Sequence, residues 1–267
     1  MIKNIFFDFD GVILDSMHIR EYGFKKIFDK FKKVVLLAAN IEQSVLFKLW
    51  SVDGVEFREC DTFQGVSAGH PAHEGLVHIY FLYDGTFSKR RHTVPQDSKD
   101  SVIAMFELVK KFFDGKGVDW KFCTNKGAES EIPNHLRCRK IPVVSHGIND
   151  YRDYLGMAYL CAFNPDPALA SYLDSRGVSW EEARRAMTVE SAYQSLCRTA
   201  VRSIKSDGKH KYFVVGDKFT ALLLQGYFYC SSVEKLEGLE RFEASISGRP
   251  VSAYTRKDLD RARSVIR

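Results

Sequence analysis

The sequence predicts an α/β fold, a mostly parallel sheet with helices on both faces. Two observations lead there. Short apolar runs of strand length alternate with longer segments of helical periodicity. Strands that alternate with helices pack as a parallel sheet covered on each face. Several of the runs also end on polar clusters, and ligands of such sheets collect beyond the carboxyl ends of the strands.

In chain order, residues 5–9 read as a buried strand followed by a turn at Gly11. Residues from about 18 to 33 have helical character, 34–39 form a second strand-like run, and 42–50 form a helix. The stretch 60–75, rich in Gly, His and Ser, reads as a loop, and 77–83 is a strong strand. Residues 88–92 make a basic loop. From 100 to 113, Val102, Phe106, Val109 and Phe113 fall on one helical face. A strand at 120–123 ends in Thr124, Asn125 and Lys126; another at 141–144 ends in residues 145–150. Ser179 with Glu182 is a capping box that starts a helix running to about residue 203. A strand at 212–215 leads through Gly216 and Asp217 into a helix from about residue 219.

The bulk numbers fit a globular protein. Apolar residues make up 45% of the 267 and charged residues 27%, which argues against disorder. A net charge of +5 is mild: it permits an anionic partner without demanding one. No stretch reaches the roughly 20 apolar residues of a membrane span. The first residues do not form a signal peptide, because Asp8 interrupts a short apolar run. The six cysteines show no CxxC spacing, so zinc is not expected, and free thiols fit a reducing, cytoplasmic setting. Cys123 and Cys197 read as core fillers, with no histidine patterned beside either in sequence. His70, His73 and His78 alternate between loop and strand positions and do not read as a metal site.

The run Asp8-Phe9-Asp10-Gly11-Val12, followed by Leu14-Asp15-Ser16, carries specific chemistry. Residues i and i+2 at a strand end point the same way, so one carboxylate can attack phosphorus while the other shuttles a proton. The run resembles motif one of the haloacid dehalogenase superfamily, most of whose members are phosphatases. The resemblance implies Asp8 as nucleophile, Asp10 as acid/base, and Mg2+ held at Asp8, Asp10 and Asp217, acting on a phosphate monoester. Thr124 would serve as its second motif and Lys140 as its third. The family's closing acidic pair is half present: Asp217 supplies the first member, but Ala221 stands at the second.

From about residue 34 onward the chain resembles the second RecA-like motor domain of a phage or bacterial superfamily-2 helicase. The residues that carry this are Leu37 to Asn40 with Trp50, then 142–151 including His146 and Asn149, then 159–165. Most telling is Tyr193-Gln194 followed by Arg198 and Arg202. A glutamine ahead of two arginines on one helical face resembles the helicase arginine-finger motif, in which guanidiniums hold a triphosphate and stabilise transferred charge. The resemblance implies that Gln194, Arg198 and Arg202 face ATP, with Lys126, Thr124, His146 and Asn149 near the nucleotide or nucleic acid. The chain lacks the GxxxxGK[ST] loop that cradles phosphates, so it would need a missing first motor half or a partner.

The expected organisation is a strand–helix segment at 1–33, a RecA-like domain at 34–248 and a basic tail at 249–267, six Arg or Lys against two Asp. Two incomplete motif sets in one chain also leave open a non-catalytic chimera.

Overall fold

A computed structural model describes residues 4–8, 33–37, 40–59, 70–88, 102–143, 150–203 and 205–239. Asp10, His146, Asn149, the basic loop at 89–92, the basic tail and, apart from Lys33 (which is in a strand), the helix expected at 18–33 lie outside the described residues.

Among the described residues, seven strands form two parallel sheets. β1 (Asn4–Asp8) pairs with β2 (Lys33–Leu37) in a sheet of two, with Asp8 opposite Leu37. β3 (Val77–Tyr83), β4 (Trp120–Thr124), β5 (Gly156–Leu160), β6 (Lys211–Asp217) and β7 (Ser232–Lys235) form a sheet of five in the order β4-β5-β6-β3-β7. Every pairing in it is parallel. The α/β class read from the sequence is the class observed.

Strict alternation along the strands builds a core on each face, because successive side chains point to opposite sides. Val77, Ile79 and Phe81 of β3, with Phe213 and Val215 of β6, face one core. Tyr80 and Leu82, with Val214, face the other. The helices divide accordingly. α2 (Val102–Lys116) covers the second face, burying Phe106, Val109 and Phe113 as its periodicity predicts. α5 (Glu190–Leu196) and α6 (Lys218–Gln225) cover the first, through residues such as Leu196 and Leu224. Each large apolar side chain buried this way contributes about 1.5–3 kcal/mol.

Smaller pieces complete the layers. α1 (Val45–Val52) packs Val45 and Leu49 against α3 (Pro167–Ser175) and α4 (Trp180–Arg184). Lys48 of α1 pairs with Glu182 of α4 at 2.7 Å, and Arg176 pairs with Asp53. Ser179 forms the expected capping box with Glu182, its hydroxyl accepting from the Glu182 amide.

Three expectations change. No strand forms among the described residues of 141–144; a bridge at the sheet edge pairs the preceding Lys140 with Phe122, and the Ile141 amide donates to the Phe122 carbonyl at 2.8 Å. β5, β7 and α3 lie where no element is expected from the sequence. The helix expected from the capping box to residue 203 is helical as far as Leu196 and ends there. A π turn (Arg185–Val189) joins α4 to α5 without leaving helical backbone, and α5 stops at Leu196. Thr199 is extended at φ −90°, and a separate 3₁₀ turn (Ala200–Arg202) follows. The physical reason lies in competing bonds. The Thr199 hydroxyl donates to the Leu196 carbonyl at 2.7 Å, and the Ala200 amide leaves the helix for the Tyr154 carbonyl at 3.1 Å.

Candidate functional site

The sequence-predicted residues divide between the two ends of the five-stranded sheet. Thr124, Lys126 and Asp217 stand at the carboxyl ends of their strands. Gln194, Arg198 and Arg202 lead toward the amino end. Contacts at that end fix the placement: the Ala200 amide reaches Tyr154, just before β5, and the Ser203 carbonyl meets His73, just before β3.

At the carboxyl end the polar residues serve the fold. The buried Thr124 hydroxyl donates to the Leu160 carbonyl at 3.2 Å. Asn125 extends the β4–β5 pairing past its last ladder bond, accepting from the Ala162 amide at 2.8 Å and donating to the Ala162 carbonyl at 3.3 Å. Lys126 is exposed at the start of the 3₁₀ helix Lys126–Glu131.

Asp217 is 1% exposed, and its carboxylate accepts three hydrogen bonds. One oxygen caps α6 through the Thr220 amide at 2.9 Å. The other accepts from the Phe87 amide at 2.8 Å and from Arg184 at 2.5 Å. The Arg184 guanidinium lies 4.3 Å from the Phe219 ring centroid, so its charge is enclosed between a carboxylate and an aromatic face. The oxygens that Asp217 would lend to Mg2+ are already taken by protein donors, one of them cationic.

The same contacts fill the place where an open sheet of this kind holds its ligands. The connections leaving β3 and β6, adjacent strands, run to opposite faces, which makes their carboxyl ends the topological switch point. Phe87 occupies it. Its ring lies on Gly216 so closely that a Cβ there would fall 2.4 Å from it, and Asn164 donates to its carbonyl at 3.0 Å.

The Asp8 strand does not join these residues in one sheet. β1 ladders only with β2 among the described residues. The strands carrying Thr124 and Asp217 have β5 between them, a separation of two strand spacings, about 9–10 Å. Among the described residues, no three His, Cys, Asp or Glu side chains converge as a metal ion would require.

At the amino end the arginines sit in a polar surround. Gln194 donates to Glu190 at 3.3 Å, and Glu190 also accepts from Asn40 at 3.2 Å. The segment after β2 is thereby tied to the helix that bears Gln194. Arg198 is half-buried in the turn after α5, and Arg202 is exposed at the end of the 3₁₀ turn. The break at Thr199 corrects the single helical face expected for the pair. Both arginines nonetheless lie near Cys197, whose thiol they draw downward against a larger upward push from burial. Burial wins, and the thiol is pushed up to about 12. It stays protonated at neutral pH and is no nucleophile.

A histidine does sit beside Cys197, contrary to the expectation. His70 Nε2 lies 3.3 Å from Cys197 Sγ and 3.0 Å from the Tyr193 hydroxyl, and its ring stacks on Phe228 at 5.0 Å. Burial, then the neighbouring His73, holds its pKa below the usual histidine value. The two partners are 127 residues apart in the chain, so no local pattern could announce them.

Comparison with protein-family models, with curated proteins and with solved structures gave no match. Among the described residues, no helix is long and apolar enough to cross a membrane.

Proposed function

We propose that this chain is a RecA-like half of a nucleic-acid-associated helicase motor. It lends Gln194, Arg198 and Arg202 to a nucleotide whose phosphates another protein unit cradles. The placement of the arginines carries this reading. An α/β sheet binds its own ligands beyond the carboxyl ends of its strands. Here that crevice is filled by Phe87 and the Arg184–Asp217 pair. Arg202 is exposed at the opposite end, and among the described residues no carboxylate lies within ion-pair distance of it. Arginines held away from a molecule's own ligand crevice suit service in trans, as an arginine finger does. The absence of a phosphate-cradling loop from the sequence agrees with that division of labour.

The tie from Asn40 through Glu190 to Gln194 adds support, since the segment resembling an inter-domain joint grips the helix leading to the arginines. ATP hydrolysis by the purified chain, with Mg2+ and with or without single-stranded nucleic acid, tests the reading. Turnover should not rise above the buffer rate. Sustained turnover by the chain alone would require a complete site within it and would sink the half-motor assignment.

A further inference from the structure

We propose that His70 is a positioning residue for the arginine-bearing turn, clasping the end of α5 to the 3₁₀ turn that follows, with His73 as a second anchor. What the arginines do rests on the functional reading above; the clasp itself does not.

The turn needs such a device. α5 ends at Leu196 and the extended Thr199 interrupts the chain before Ala200–Arg202, so no continuous helix fixes Arg198 relative to Arg202. His70 and the Pro71–His73 turn that follows it span the gap. On one side His70 Nε2 meets the Tyr193 hydroxyl at 3.0 Å and the Cys197 thiol at 3.3 Å. On the other, the turn reaches the end of Ala200–Arg202 through His73. A neutral Nε2 carries one lone pair, so it accepts from one of the two, the Tyr193 hydroxyl at the shorter distance, with the Cys197 thiol in contact beside it. His73, 2% exposed, holds the end of the same turn, donating from Nε2 to the Ser203 carbonyl at 2.9 Å. The two histidines flank one short 3₁₀ helix (Pro71–His73), whose proline restricts its backbone. Stacking on Phe228 sets the plane of the His70 ring.

This arrangement is sensitive to acid. A second proton on His70 would occupy the Nε2 lone pair, so the ring could no longer accept from the Tyr193 hydroxyl. The new charge would also lie close to His73 and near the arginines beside Cys197, with Glu190 near Tyr193 and Cys197 the opposing charge. The folded-state pKa lies below the ordinary 6.5, so the clasp is complete above that pH and weakens as pH falls through the lowered value.

Amide hydrogen exchange on the full chain tests this without any nucleotide. At pH 7.5, His70→Ala should speed exchange of the amides from Cys197 to Arg202 on the order of tenfold, the loss of one or two hydrogen bonds, and leave the β5 and β6 amides unchanged. After correction for intrinsic rates, the wild type should lose protection in the same segment below pH 6.5. His70→Gln, which keeps a neutral acceptor, should abolish that pH dependence. Unchanged exchange in His70→Ala overturns the clasp. So does an undiminished acid response in His70→Gln, which decides the matter alone if His70→Ala does not fold. Protection that follows these predictions while the arginines prove irrelevant to nucleotide would leave the clasp standing and the functional reading rejected.

Discussion

Asp217 and Arg202 show how two charged residues of one chain come to different uses. Asp217 is enclosed, with three donors on its carboxylate. Removing it should be costly, because Arg184, 5% exposed at its side chain, would keep a charge with no carboxylate to balance it. We expect Asp217→Ala to lower unfolding stability by about 3–5 kcal/mol, read from urea denaturation, with part of the loss coming from the helix cap. A change under about 1 kcal/mol would mean that the buried pair contributes little. Arg202, by contrast, lies exposed, and its replacement should leave stability within about 0.5 kcal/mol. The sequence could name both residues as chemically interesting. It could not tell them apart, because the distinction depends on Phe87 and Arg184, which are 130 and 33 positions away from Asp217.

Secondary-structure elements were legible where their periodicity was strong. β3 and α2 carry clean apolar patterns, and both occur where the sequence places them. β5 went unassigned because Gly156-Met157-Ala158-Tyr159-Leu160 is buried on both faces and so shows no alternation, and it has no β-branched residue. β7 is four residues long, with Glu234 and Lys235 along a sheet edge, where charge discourages further pairing. The interruption of the capped helix was also invisible. Its cause, the diversion of the Ala200 amide to Tyr154, is a tertiary contact. Packing at this scale is tight enough to test. Gly216→Ala would drive a methyl group into the Phe87 ring, 2.4 Å from the ideal Cβ position. We expect a loss of about 1–3 kcal/mol in thermal or chemical unfolding, the usual cost of overpacking. An unchanged midpoint would show that Phe87 moves aside freely and that the switch-point crevice opens.

For the molecule as a whole, the α/β class was readable from the alternation of elements, but the assignment of ends was not. Composition and motif spacing pointed to several strand ends at once and attached nucleotide chemistry to residues of both. The five-stranded sheet separates them: Thr124, Lys126 and Asp217 at one end, Arg198 and Arg202 toward the other. The half-motor proposal draws on that separation. It also gives the aspartate motif a different standing. Asp8 closes a strand in a two-stranded sheet with β2, outside the ladder that carries Thr124 and Asp217. The central claim concerns the arginines, and equilibrium titration with ATP tests it most directly. Two charge-assisted contacts supply about 3–6 kcal/mol before the costs of association, so the isolated chain should bind ATP in the millimolar range at best. The double variant Arg198→Ala with Arg202→Ala should weaken that binding by about tenfold or more, with the fold intact by circular dichroism. Equal affinity in the wild type and the double variant would contradict the account.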